Sequence, residues 1–141
     1  MENLETDEAP VTILVVDDEP QICEFLAMVL REGGYEVLTA TGGAQALEIA
    51  ARRWPQLILL DVVMPEMDGV TTLRELRRLG HSCAVIMLTA QGTIRTARAA
   101  MMLGASDYIS KPFDLAFLRT VVQDSLKDRR LDRRGAPACA R

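Results

Sequence analysis

Side chains that can bind metal ions or anions stand at the ends of several apolar runs in this sequence. They are Asp17 and Asp18 after residues 11–16, Asp61 after 57–60, Thr89 after 84–88 and Lys111 after 108–110. Each of them alone has an ordinary interpretation, as a helix cap, a turn residue or a surface lysine. Their common position, directly after apolar runs, is what suggests a shared chemical role.

The chemistry follows from bringing these groups together. If the apolar runs are strands of one parallel sheet, their carboxyl ends lie along a single edge. Carboxylates crowded at that edge repel one another, and either protonation or a cation must relieve the repulsion. Mg²⁺ prefers oxygen ligands and typically takes one or two carboxylates with waters and a phosphate oxygen. We therefore predict a magnesium pocket at Asp17, Asp18 and Asp61, with Thr89 and Lys111 beside it.

The strands that would position these groups are predicted from the apolar patterning. Residues 11–16, 57–60 and 84–88 are continuous or nearly continuous aliphatic runs, which are typical of strands buried on both faces of a parallel sheet. Residues 35–40 are half polar and predict a short strand at the sheet edge, and residues 108–109 centre a last short strand.

Helices are predicted between the strands, where apolar residues recur three and four positions apart. The helix after Gly69 is predicted to have an inner face and an outer face. The inner residues are Val70, Leu73, Leu76 and Leu79, and the outer residues are Arg74, Glu75, Arg77 and Arg78. Asp114 is a natural N-cap for the final helix. Five strands alternating with helices predict an α/β fold, a doubly wound parallel sheet with helices on both faces.

Length and charge limit the possible classes of protein. The 141 residues suffice for one ordinary domain, and 49% of them are hydrophobic. A net charge of −4 argues against general binding to nucleic acids or membrane surfaces. We predict a flexible acidic arm at 1–10, a folded domain at 11–127, and a basic tail or the start of a linker at 128–141.

The cysteines and the histidine suggest no further site. Cys23, Cys83 and Cys139 lack the spacing of a disulfide framework or a zinc site, so reduced thiols are expected. His81 lies in a Gly-His-Ser turn and is predicted to be a surface residue. No signal peptide or membrane-length apolar run is present, and we expect a cytoplasmic protein.

Four motifs, in this order, closely resemble the receiver domain of two-component response regulators. They are Asp17-Asp18-Glu19, Asp61 with residues 64–69, Thr89-Ala90 and Lys111-Pro112-Phe113. The resemblance spans roughly residues 11–127, and the segments 88–93 and 104–114 are most similar to receivers of the NtrC type. It implies a flavodoxin-like (CheY-like) strand order, 2-1-3-4-5.

The resemblance also implies a role for each residue of the pocket. Asp61 would accept a phosphoryl group from the phosphohistidine of a sensor histidine kinase. Asp18, Asp61 and the backbone carbonyl of Val63 would bind Mg²⁺, with Asp17 acting through a metal-bound water. Lys111 and Thr89 would each contact a further phosphoryl oxygen, and a cis Lys111-Pro112 bond is expected. Such a domain is a signalling module that catalyses its own phosphorylation and dephosphorylation, and is not a conventional enzyme.

Partner surfaces are implied by the same resemblance. Thr89 and Tyr108 would act as a switch that shifts the fourth helix, last strand and last helix toward a downstream output domain or protein. Candidate residues of this surface are Ile94, Ala97, Met101, Tyr108 and Phe117. The kinase would contact the region of Gln21 and Ile22 with the 111–113 loop. A homodimer is possible, whereas direct contact with nucleic acid or membrane is not expected.

Three other interpretations share part of this pattern. A flavodoxin-like nucleotide or flavin binder shares the topology, but its phosphate loop is rich in Gly, Ser and Thr, whereas residues 17–19 are acidic. A haloacid-dehalogenase-type phosphatase would need a DxD signature, which follows neither acidic strand. A receiver-like interaction module that needs no phosphate remains the non-enzymatic alternative. The sequence leaves open whether this is a single-domain regulator or the receiver of a longer protein.

Overall fold

The computed structural model describes residues 10–90 and 94–135, and within these ranges five strands alternate with five helices. The strands are β1 (Thr12–Val16), β2 (Glu36–Ala40), β3 (Leu57–Asp61), β4 (Ala84–Thr89) and β5 (Asp107–Ser110). The helices are α1 (Pro20–Glu32), α2 (Gly43–Arg53), α3 (Gly69–Arg78), α4 (Ile94–Met102) and α5 (Leu115–Gly135). In the described ranges, none of the helices combines the length and apolarity that crossing a membrane requires.

The strands form one parallel sheet in the order β2-β1-β3-β4-β5. This confirms the predicted doubly wound topology, including the edge position of β2. Val16 pairs with Leu60, and Asp61 pairs with Leu88, so the ends of the three central strands are almost level. The polar residues that follow these strands therefore share one edge of the sheet.

Two apolar layers cover the sheet, one on each face. On one face, Leu26 and Leu30 of α1 and Leu118 and Val122 of α5 pack against alternate strand residues such as Leu59. On the other face, side chains of α2, α3 and α4 pack against the remaining strand residues. Both faces of β1, β3 and β4 are buried, which explains why these strands read as continuous aliphatic runs.

Helix α3 departs from its predicted faces at its C-terminal end. Leu73 and Leu76 are fully buried, as predicted. Leu79 was predicted to face inward, but it is the C-cap of α3 and is 46% exposed, because the helical periodicity ends before it. Arg77 was predicted to face outward, but its guanidinium donates hydrogen bonds to backbone carbonyls of neighbouring segments, including that of Leu103.

His81 was predicted to be a surface residue, and this is wrong. Its exposed fraction is 3%, and its ring lies 4.0 Å from that of Trp54, measured between centroids. Gly80 has φ of +95°, a left-handed conformation that ends α3 and turns the following residue toward the end of α2. The turn at residues 80–82 was predicted correctly. The contact of His81 with Trp54, at the end of α2, could not be predicted from the local sequence.

The predicted termini are only partly within the description. Residues 1–9 and Cys139 lie outside the described residues. Helix α5 runs through residue 127, where the boundary of the folded domain was predicted. Cys23 and Cys83 are buried free thiols.

Candidate functional site

Three carboxylates meet at the carboxyl edge of the sheet. Asp17 directly follows β1, and Asp61 is the last residue of β3, so the pairing of these two strands places them side by side. Ligand oxygens of Asp17, Asp18 and Asp61 all lie within 4.8 Å of one another. Asp17 is fully buried and Asp61 is 5% exposed, whereas Asp18 is exposed. The cluster therefore opens toward solvent on the side of Asp18.

Lys111 brings a positive charge to this cluster from the loop after β5. Its Nζ lies 3.0 Å from Oδ2 of Asp17 and 3.5 Å from Oδ2 of Asp61. The Lys111 amide donates to the carbonyl of Thr89 at 2.6 Å, and the Lys111-Pro112 bond is cis, as predicted. One ammonium thus faces three carboxylates, which leaves the pocket with an excess of negative charge.

The protonation equilibria of the pocket reflect this crowding. Burial, followed by the nearby charge of Asp17, raises the pKa of Asp61, and the ammonium of Lys111 opposes that rise. Burial alone would lower the pKa of Lys111, but its hydrogen bond to Asp17 and the charges of Asp61 and Asp17 raise it above the ordinary value. The amine therefore stays charged, and the carboxylates repel one another in the absence of a further cation.

Backbone amides orient the buried carboxylates. Oδ1 of Asp17 accepts a hydrogen bond from the Glu19 amide at 3.0 Å, and its Oδ2 is the oxygen held by Lys111. Oδ1 of Asp61 accepts a longer bond, 3.4 Å, from the amide of Val63. Val63 itself is 67% exposed in the loop after β3. Both oxygens of Asp17 are thus engaged within the protein.

Gly69 holds the loop after β3 close to the strand end, a role that we did not predict. Its amide donates to the carbonyl of Val62 at 2.8 Å. A Cβ at this position would overlap the carbonyl oxygen of Asp61 and lie 2.8 Å from Cα of Val62. Asp68 then caps α3 by accepting a hydrogen bond from the Thr71 amide at 2.8 Å. The signal was present in the sequence as a glycine directly after a capping aspartate.

Thr89 and Tyr108 lie next to a common cavity. Thr89 is the last residue of β4 and is 6% exposed, whereas Tyr108 is 42% exposed. Both line a cavity of about 10 Å³ whose other walls include Ala97 and Ala100 of α4. A cavity of this size holds one water molecule at most. The two predicted switch residues thus line the same small cavity, together with residues of α4.

The predicted output surface is apolar and largely exposed. Met101, Tyr108 and Phe117 are 44%, 42% and 53% exposed, and Ala97 is half-buried. The side chain of Ile94 lies outside the description. Met102, which was not predicted, is 82% exposed and lies beside Arg95, Arg98 and Ala99 on another face of α4. At the start of α1, Gln21 is exposed and Ile22 is half-buried.

Comparison with known proteins identifies the family. Residues 13–123 match the family described as response regulator receiver domain. The chain belongs to this family. Receiver domains of two-component systems act as phosphoacceptors and bind a divalent metal in an acidic pocket, as the carboxylate cluster here would allow.

Relatives of this receiver domain include two bacterial transcriptional regulators. The probable transcriptional regulatory protein TcrX of Mycobacterium tuberculosis is 39% identical over 77% of this chain and 47% of its own length. The transcriptional regulatory protein ZraR of Escherichia coli is 40% identical over 82% of this chain and 26% of its own length. ZraR is of the NtrC type, which confirms the predicted resemblance. The chain thus spans between a quarter and a half of the length of these relatives.

A solved structure supports the fold. The CheY-like receiver domain protein of Methanospirillum hungatei superimposes with a TM-score of 0.85 at 26% identity, covering 88% of this receiver domain and 99% of that chain. The predicted CheY-like strand order is therefore confirmed both by the sheet itself and by a structural neighbour.

Proposed function

We propose that this receiver domain accepts a phosphoryl group on Asp61 from the phosphohistidine of a sensor histidine kinase, in a reaction that requires Mg²⁺. The observation that carries the proposal is the pocket itself, in which oxygens of Asp17, Asp18 and Asp61 lie within 4.8 Å of one another. Lys111 lies against the same cluster, 3.5 Å from Asp61. Asp61 therefore lies next to carboxylates that could bind a metal ion and next to an ammonium that could bind a phosphoryl group.

The donor set fits Mg²⁺. Carboxylate and carbonyl oxygens are hard ligands, and a hard divalent cation would offset the excess negative charge. The two oxygens of Asp17 have contacts of 3.0 Å, to Glu19 and Lys111, which are shorter than the 3.4 and 3.5 Å contacts of Asp61. Asp18 and Asp61 are therefore the carboxylates proposed to bind the metal directly. Asp17 would act through water, and the carbonyl of Val63 is proposed as a ligand from the family resemblance. When bound, Mg²⁺ supplies positive charge that neutralises the charge spreading over the phosphoryl oxygens.

The side chains of this chain then have distinct tasks. An oxygen of the Asp61 carboxylate forms a bond to phosphorus, while the phosphorus–nitrogen bond of the donor histidine breaks and its electron pair stays on the imidazole. The product is an acyl phosphate. Lys111 is close enough to Asp61 to pair with one phosphoryl oxygen, and the hydroxyl of Thr89 would donate to another. Because the transition state is loose, these contacts act by positioning and charge stabilisation.

The proposed output uses the cavity between Thr89 and Tyr108. A Thr89 side chain drawn toward the phosphoryl group would vacate space for Tyr108, changing the surface formed by α4, β5 and α5. Its apolar residues, among them Met101 and Phe117, would then bind an output domain, a partner protein or a second copy of the chain. The kinase would bind near Gln21 and the loop after β5, in the cytoplasm, where the free thiols would stay reduced.

Labelling with acetyl phosphate tests the phosphoacceptor directly. Wild type incubated with Mg²⁺ should acquire one acid-stable, base-labile phosphate, and Asp61→Asn should acquire none, because the nucleophilic oxygen is replaced by an amide. Asp68→Asn is the matched control, since Asp68 lies in the same loop and asparagine is an equally good N-cap. Equal labelling of wild type and Asp61→Asn would refute the assignment.

A further inference from the structure

Arg77 binds two separate segments of backbone, one at the end of α4 and one between α3 and β4. Its Nε donates to the carbonyl of Leu103 at 2.9 Å, and its Nη2 donates to that of Gly104 at 2.8 Å. Its Nη1 donates to the carbonyls of His81 and Cys83 at 2.7 and 3.1 Å. The planar guanidinium suits this arrangement, because its donors point in fixed directions within one plane.

The carbonyls of Leu103 and Gly104 directly follow the last residue of α4. Carbonyls at a helix C-terminus lack partners within the helix and carry partial negative charge, so a cation there is stabilising. Gly104, with φ of +86°, closes this helix end, and the amides of Leu103 and Ala105 bond back to Ala100. Arg77 therefore ties an already closed helix end to the turn between α3 and β4.

The other end of α4 lies toward the phosphoryl pocket. Helix α4 begins at Ile94, five residues after Thr89, and Thr96 and Ala97 in its first turns line the cavity shared with Thr89 and Tyr108. The two ends of α4 thus have different surroundings. The cavity in which the proposed switch operates is lined by Thr96, Ala97 and Ala100, whereas Arg77 is bonded to the carbonyls that follow the last helical residue.

We propose that Arg77 is a positioning residue that holds the C-terminal end of α4 in place, so that the switch moves the N-terminal part of α4 about a fixed end. That Arg77 holds this helix end is inferred from its hydrogen bonds alone. Its effect on the switch rests on the proposed function. An arginine on α3 thereby determines which part of the output surface changes when Asp61 is phosphorylated.

Hydrogen–deuterium exchange of the full chain tests the proposal, with Mg²⁺ and beryllofluoride as the phosphoryl mimic. In unliganded Arg77→Met, the amides of Leu103, Gly104 and Ala105 should exchange at least about tenfold faster than in wild type, because the helix end has lost its charged hydrogen bonds. Arg74→Met is the matched control, since Arg74 is exposed one turn earlier on the same helix. It should leave these amides unchanged.

Adding beryllofluoride tests whether Arg77 also limits the part of α4 that responds to phosphorylation. In wild type the exchange of residues 94–98 should change while that of residues 103–105 stays constant, and in Arg77→Met the change should extend to both segments. Arg77→Lys, which keeps the charge but has only one nitrogen, should give an intermediate result and serves if the methionine variant unfolds. Unchanged exchange at 103–105 in unliganded Arg77→Met or Arg77→Lys would overturn the proposal, as would a wild type in which both segments change equally.

The proposed function can fail separately from this proposal. A wild type that takes no label from acetyl phosphate and shows no response to the mimic would refute phosphorylation at Asp61. The comparison of unliganded variants would still decide whether Arg77 holds the end of α4.

Discussion

Lys111 is the residue on which the charge balance of the pocket depends. Its ammonium is the cation that contacts both Asp17 and Asp61, and it neutralises only part of the charge of the three carboxylates. The same ammonium has two opposite effects. It competes with a divalent cation for the carboxylates, and it attracts a phosphoryl group once one is present.

Replacing Lys111 should separate these two effects. Lys111→Met is expected to bind Mg²⁺ at least as tightly as wild type, because a competing positive charge is removed. Its affinity for beryllofluoride should fall by about tenfold or more, because one charge-assisted contact to the mimic is lost. Isothermal titration calorimetry measures both affinities. Lys127→Met, at an exposed lysine of α5, is the control and should change neither, and loss of Mg²⁺ binding in Lys111→Met would contradict this account.

The surroundings of a residue can be predicted from the sequence when they follow from its own strand or helix and from the topology of the sheet. Asp17, Asp61 and Lys111 could be predicted to converge because a parallel sheet brings strand ends together whatever the details of packing. The environment of His81 depends on its contact with Trp54, which follows α2, and that of Arg77 on its contacts with the end of α4. Periodicity places a residue on one face of its own helix and contains no information about which neighbour covers that face.

The burial of His81 has a consequence for stability at acidic pH. Burial, and then the charge of Arg77, lower the pKa of His81 below its ordinary value of 6.5. The folded protein therefore favours neutral His81, while the unfolded chain binds a proton as the pH falls through about 6.5. The unfolded state then holds more protons, so the contribution of His81 to stability decreases below this pH.

Urea unfolding at pH 7.5 and pH 5.5 can isolate this effect. We expect wild type to lose more free energy of unfolding between the two pH values than His81→Phe, which keeps an aromatic ring against Trp54 but has no proton to bind. The carboxylates titrate in both proteins and cancel in the comparison. An identical pH dependence of the two proteins would show that His81 is protonated as readily in the folded state as in the unfolded state.

Among the elements, the loop between β3 and α3 is constrained by close backbone packing at Gly69. It must carry the chain from Asp61 to α3 while keeping Val63 beside the carboxylates, and Gly69 allows the loop to return against the strand end. Gly69→Ala should destabilise the fold by about 1–3 kcal/mol or more, because the new Cβ meets backbone and not a flexible side chain. It should also reduce labelling of Asp61, whose carbonyl is the overlapping atom.

Gly42→Ala is the matched control for this substitution. Gly42 is extended, at φ −168° and ψ 167°, and a Cβ there would have no neighbour within 4 Å. We expect its labelling to match wild type and its midpoint of urea denaturation to change much less than that of Gly69→Ala. Equal stability of Gly69→Ala and Gly42→Ala would mean that the loop relaxes without cost.

The elements differ in how well the sequence predicts them. Strands β1, β3 and β4 were predictable because both their faces are buried, which forces an uninterrupted aliphatic run. The end of α3 was less predictable, since Leu79 continues the apolar spacing beyond the last helical turn. The helix end is determined by Gly80, which adopts a left-handed conformation. The periodicity of apolar residues contains no information about that conformation.

At the scale of the whole molecule, the topology makes stability and metal binding depend on the same groups. The doubly wound sheet buries Asp17 and Asp61 at the ends of the neighbouring strands β1 and β3, where their mutual repulsion opposes folding. Any ligand that binds only the folded state stabilises it by mass action. Mg²⁺ should therefore stabilise the entire domain and not only the pocket.

The free energy of unfolding should accordingly respond to Mg²⁺ in a way that depends on Asp18. For wild type, Mg²⁺ at 100 times its dissociation constant should add about 2.7 kcal/mol. Asp18→Asn should be at least as stable as wild type in the presence of a chelator, because one repelling charge is gone, yet gain much less from the same Mg²⁺ concentration. Asp124→Asn, at an exposed position on α5, should follow wild type under both conditions. Urea titrations with and without Mg²⁺ measure this reversal in the order of stability, and parallel gains in wild type and Asp18→Asn would exclude Asp18 as a metal ligand.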